Sequence, residues 1–179
     1  MKSVRGFTAV GLSLSLALGL AGCDSEPLKS RAPAEPPPPV QGVQAFLQVD
    51  NDQAKPGDHV QVFIRVQIGT GTQSKIGSYT GRVSFDPEAI SWVKDIEVND
   101  GLRVVNPADA PKGEVRFAGA SAGGFSDLLL YHGEFEVKKP EYLKALSFRL
   151  DELSAALTLG NLGPQLKVAP QIFLQSVAP

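Results

Sequence analysis

His59-Val60-Gln61-Val62-Phe63-Ile64-Arg65-Val66-Gln67-Ile68 alternates without a break: Val60, Val62, Ile64, Val66 and Ile68 fall on one side, Gln61, Phe63, Arg65 and Gln67 on the other. Successive side chains of a strand point to opposite faces, so this run predicts a strand with one face in a core. Before it, Lys55-Pro56-Gly57-Asp58 has the chemistry of a tight turn, and Ala45 to Val49 reads as the preceding strand. After it, Tyr79, Gly81, Val83 and Phe85 repeat the period with Ser78, Thr80, Arg82 and Ser84 facing outward, until Asp86-Pro87 stops the strand.

Further extended segments are predicted at Ile90 to Ile96, Leu102 to Val105, Glu114 to Ala118, Leu129 to Val137, Leu146 to Leu150, Ala156 to Leu159 and Leu166 to Leu174. Only Asp86 to Ser91 and Glu141 to Leu146 suit brief helical turns. About nine short strands separated by Gly, Pro and Asp turns predict an all-β domain built as a two-sheet sandwich.

The sandwich is expected to occupy residues 44–179, because what precedes it cannot build a core. Lys2 and Arg5 introduce an uncharged Leu- and Ala-rich stretch from Gly6 to Gly22, the layout of a secretory signal peptide over residues 1–22. The stretch is shorter than the ~20 residues that a bilayer core needs. It ends in Leu20-Ala21-Gly22-Cys23, which resembles the lipobox of bacterial lipoproteins; the resemblance implies cleavage before Cys23 and a lipid on its thiol. Residues 23–43, with Pro27, Pro33 and Pro36 to Pro39, read as a disordered stalk. The expected location is the cell envelope outside the cytoplasm, with inner and outer membranes both open.

Loss of Lys2 and Arg5 takes the net charge from -2 to -4, which attracts neither nucleic acid nor an anionic membrane surface. Cys23 is the single cysteine, so no disulfide or thiolate metal site is expected.

Several motifs invite a chemical reading. Gly119-Ala120-Ser121-Ala122-Gly123 fits the G-x-S-x-G elbow, with Asp127 and His132 following. The elbow requires a helix after the serine, whereas here a glycine-rich loop leads into a strand. Gly69 to Lys75 lacks the order of a phosphate loop and reads as a hairpin. Asp50-Asn51-Asp52 starts like a calcium loop, but Ala54 breaks the ligand frame. No metal or other cofactor is expected, and no catalytic residue is assigned. Glu134 and Glu136 share one face of a strand at regular solvent positions.

The order of these segments resembles the cohesin domain. The matching residues are Lys55 to Val62, Ile76 to Tyr79 running into Val83 to Pro87, Val115 to Gly119 with Ser121 to Phe125, and Leu129 to Val137. The resemblance implies a flattened jelly-roll sandwich, a non-catalytic scaffolding role, and an outer sheet face that receives a helical, dockerin-like partner. In dockerin-binding cohesins an asparagine and an aspartate stand near the start of the strand before the Asp-Pro turn; here Ser78 and Thr80 occupy those positions. Outward strand positions also include Phe63, Arg65, Arg82 and Leu130, an apolar and charged mixture suited to a protein contact. The expected docking face is therefore Phe63, Arg65, Ser78, Thr80, Arg82 and Leu130. Polysaccharide binding at the envelope is the alternative, with Trp92 or Tyr79 as the stacking ring.

Overall fold

Alternation becomes a core when two sheets lay their apolar faces together. The computed structural model describes residues 41–69, 75–98 and 100–175; the signal peptide, Cys23 and nearly all of the proline-rich segment lie outside the described residues. The strands are β1 (Val43–Val49), β2 (His59–Ile68), β3 (Ile76–Ser84), β4 (Ile90–Asp95), β5 (Leu102–Asn106), β6 (Glu114–Ala120), β7 (Leu129–Val137), β8 (Ser147–Ala155) and β9 (Leu166–Leu174). One sheet has the order β4-β7-β2-β1-β9, the other β5-β6-β3-β8. The domain is an all-β jelly-roll sandwich of nine strands, as the sequence predicts.

All neighbours are antiparallel except β1 and β9, which run parallel. Val60, Val62, Ile64 and Val66 of β2 pack in one cluster with Tyr79, Val83, Phe117, Phe135 and Leu153, all buried. Each such side chain removed from water contributes about 1.5–3 kcal/mol.

The turns follow the sequence chemistry. Asp58 N–H donates to the Lys55 carbonyl at 2.9 Å, and Gly57 takes φ of 93°. Asp86 caps the turn after β3, its carboxylate accepting from Glu88 N–H at 2.9 Å. A short 3-10 turn forms at Tyr142–Ala145. Gly113 enters β6 with φ of 88°, where a Cβ would stand 2.0 Å from the Phe85 carbonyl oxygen, so that turn admits no side chain.

Two expectations are corrected. β8 runs on to Ala155, and the Ala156 to Leu159 segment is a turn in which Leu157 and Leu159 have φ of 64° and 55°. Its alternating apolar residues imitate a strand, but their backbone is left-handed. The chain between β2 and β3 is no hairpin either, because those strands belong to different sheets; residues 70–74 of that connection lie outside the described residues.

Candidate docking face

The outer face of the four-stranded sheet is set by cross-strand register. Leu102, Ala120, Ser78 and Ser154 form one row; Val104, Ala118, Thr80 and Glu152 form the next; Asn106, Arg116, Arg82 and Arg149 form a third. Ala118 and Ala120 are too small to fill their share of the surface. They leave a shallow trough lined by Leu102, Val104, Ser78, Thr80 and Glu152. Leu102 and Val104 stand 74% and 62% exposed on its wall. Single apolar residues on a surface are ordinary, but these two face one trough.

Beneath the trough the sheet is braced by an inverted strand. β5 points Leu102 and Val104 outward and Arg103 inward, where its guanidinium lies 4.9 Å from the Phe125 ring centre and 6.0 Å from that of Tyr79. Arg103 also donates to the carbonyls of Asp100, at 2.8 Å, and Leu129. Burial pushes the Tyr79 phenol up to about 12, with Arg103 pulling in the opposite direction. Gly119 lies over that ring, and a Cβ there would meet it at 2.5 Å.

The trough ends in an ion-pair ladder. Arg82 donates to Asp151 at 2.8 Å and lies 3.5 Å from Glu114; Arg116 pairs with Glu114 at 2.7 Å, and Arg149 with Asp151 at 3.1 Å. Asp151 reaches Arg82 because the pairing of β3 with β8 shifts between Thr80 and Gly81, which adds a residue to β8. Hydrogen bonding to Asp151 and its charge raise the Arg82 pKa above the ordinary guanidinium value, and Glu114 adds to this.

Solved structures share this architecture. The sixth cohesin of scaffoldin B from Acetivibrio cellulolyticus, in complex with a mutant dockerin, superposes with a TM-score of 0.54 at 14% identity, over 75% of this chain and 100% of that one. A type I cohesin from Clostridium thermocellum, also in a dockerin complex, gives 0.54 at 14% over 77% and 95%. The second type II cohesin of the A. cellulolyticus ScaA scaffoldin gives 0.52 at 13% over 78% and 99%. The fold is that of a cohesin domain. No protein-family model matches the chain, and no curated protein matches it.

Within this cohesin fold the six residues expected to form one face divide between two. Ser78, Thr80 and Arg82 lie together on β3, in the four-stranded sheet, partly exposed beside the trough and its ladder. Phe63 and Arg65 lie on β2 and Leu130 on β7, in the other sheet. Phe63 is only 4% exposed, because His132 stacks on it at 4.3 Å and Arg65 lies 5.9 Å from its ring centre. Leu130 is 2% exposed and belongs to the core, since the pairing of β7 with β2 shifts between Ile64 and Arg65 and turns it inward. Phe63, Arg65 and Leu130 are therefore absent from the outer face of the four-stranded sheet, where Leu102, Val104, Arg116 and Arg149 stand with Ser78, Thr80 and Arg82.

The remaining motifs have structural partners. Ser121 follows β6 with its N–H on the Gly77 carbonyl, and the chain continues into β7 without a helix. His132 lies on the other sheet, its Nε2 2.8 Å from Gln61. Glu134 pairs with His59 at 2.6 Å and Lys94 at 3.1 Å, and these hydrogen bonds hold its carboxyl below the usual range. Asp50 accepts from Gln61 N–H at 2.8 Å. Among the described residues no group of three or more His, Cys, Asp or Glu is placed to hold a metal. Tyr79 is 1% exposed, so its ring forms no open stacking platform; Trp92 is partly buried against the core, and its indole donates to the Tyr131 hydroxyl at 3.1 Å.

Proposed function

We propose that this chain is a lipid-anchored docking module outside the cytoplasm, capturing a protein partner on the outer face of its four-stranded sheet by binding and not by catalysis. The observation that carries the reading is the small-residue trough over Ala118 and Ala120, walled by exposed Leu102 and Val104. A trough of this kind accepts the apolar face of a helix, with aliphatic side chains seated where the sheet itself has almost none. The likeness to cohesins solved with dockerins supports a dockerin-like partner. The lipobox-like Leu20 to Cys23 supports the anchor, and the proline-rich stretch before Gln41 would act as a spacer.

Titration calorimetry of the full chain against a dockerin panel tests the docking. Leu102→Asp with Val104→Asp is expected to weaken any binding seen by at least about ten-fold, some 1.4 kcal/mol. Binding that ignores this double variant sinks the assignment of the face. For the anchor, Cys23→Ala is expected to move the chain from the membrane fraction to the soluble one, and a membrane fraction that keeps it argues against lipidation.

A further inference from the structure

We propose that the helix received by this face is acidic where it crosses Arg116, Arg82 and Arg149, an inference that rests on the docking reading above. The three arginines are direct cross-strand partners on β6, β3 and β8. Neighbouring strands lie about 4.8 Å apart, so the row is about 10 Å wide. Like charges directly opposite one another destabilise a sheet. The row persists because Glu114 sits between Arg116 and Arg82, and Asp151 between Arg82 and Arg149.

That arrangement consumes both carboxylates and leaves guanidinium capacity unused. Arg116 and Arg149 each pair through Nε, so their Nη atoms stay available to an incoming acceptor. Both are well exposed, at 59% and 75%, while their carboxylate partners are 25% and 30% exposed. A planar fork of this kind matches a carboxylate. Glu152 is the remaining anion of the face, one row nearer the trough, where it accepts from the Ser154 hydroxyl at 3.4 Å.

The trough decides what bears the carboxylates. An anionic polysaccharide would satisfy the arginines but leave Leu102 and Val104 against polar hydroxyls, and none of the exposed large hydrophobics among the described residues is an aromatic ring that could stack a sugar. A helix satisfies both ends at once. From Ala120 to Arg116 the strand advances four residues, about 13 Å. At about 1.5 Å per residue, a helix laid along the strands would carry its acidic residues roughly nine positions from the side chain seated beside Ala120.

The test uses the purified full chain and four probes. Two are hydrocarbon-stapled 18-residue helices with leucines along one face, one carrying paired glutamates at that spacing and the other paired lysines. The others are polygalacturonate and phosphatidylglycerol vesicles. Fluorescence anisotropy is expected to show the glutamate helix bound at least ten-fold more tightly than the lysine helix. Arg116→Glu with Arg149→Glu should reverse that order, and the milder Arg116→Gln with Arg149→Gln should abolish it, with circular dichroism confirming the fold of both. Equal binding of the two helices, lost in the Leu102→Asp/Val104→Asp variant, overturns the acidic preference and leaves the docking face standing. Binding of polygalacturonate or vesicles alone, or of no probe, overturns both.

Discussion

The Tyr79 hydroxyl on β3 donates to the Leu130 carbonyl on β7 at 2.8 Å, a side-chain bond that spans the sandwich from one sheet to the other. The bulge that turns Leu130 inward disturbs its pairing with β2, and the carbonyls of Leu129 and Leu130 are taken instead by Arg103 and Tyr79. Tyr79→Phe would keep the ring but leave a buried carbonyl unpaired, at a cost of about 1–3 kcal/mol. Urea unfolding should show the midpoint falling with an unchanged slope, while the docking face, on the other side of β3, keeps its affinity.

Phe63 is a core residue on an outer face. Its stack with His132 and the cover from Arg65 keep it from water. Phe63→Ala should cost about 3 kcal/mol, in the range for buried aromatics. Partner binding by the folded fraction should not change, because Phe63 lies on the sheet opposite the trough. Lost binding with intact stability would move the docking face to the five-stranded sheet.

These two residues mark where sequence reading stops. Alternation placed β2 and β7 residue for residue, since a period of two is a local property. It also placed Phe63 on the outward side correctly. What covers Phe63 comes from β7, at the cross-strand position of His132, and that pairing is set sixty-nine residues away. Leu130 fails for a different reason. A single extra residue in β7 reverses which side faces inward, and no residue type announces the bulge. β5 carries no bulge, yet its alternation is inverted: Leu102 and Val104 face outward while Tyr79 and Phe125 hold Arg103 on the inner side. The outward placement of Ser78, Thr80 and Arg82 is legible because the alternation of Tyr79, Gly81 and Val83, ended by Asp86-Pro87, fixes which side of β3 faces the core.

His132 links pH to stability. Burial lowers its pKa, Arg65 lowers it further, and Asp50 acts the other way. The folded state therefore favours the neutral ring. Its contribution is complete above the unfolded value of about 6.5 and is lost as pH falls from there through the depressed folded value. Unfolding midpoints should fall between neutral pH and mildly acidic pH, and His132→Gln, which keeps a donor toward Gln61, should flatten that slope. Glu134, whose carboxyl is held low by His59 and Lys94, loses its contribution only at more acid pH, so the two groups separate in a titration. An unchanged slope in His132→Gln would assign the effect elsewhere.

Leu157 and Leu159 combine two unfavourable features, a left-handed backbone and exposures of 87% and 80%. A non-glycine residue in that region costs about 1–2 kcal/mol, and such strain persists only where surrounding bonds fix it. Here Ala155 N–H donates to the Gly160 carbonyl at 2.8 Å, and Leu159 N–H to the Ala155 carbonyl at 3.2 Å, closing the turn at both ends. The turn follows directly on β8, at the end of the sheet where Ser78 and Leu102 face the trough. Asparagine tolerates the same backbone and exposes no apolar surface. Leu157→Asn should therefore stabilise the fold by roughly 0.5–1 kcal/mol while weakening capture of a helical partner, a trade in which the leucine serves the interface at the expense of the turn. Denaturation midpoint and affinity measured on the same variant decide it: higher stability with undiminished affinity would place the turn outside the interface.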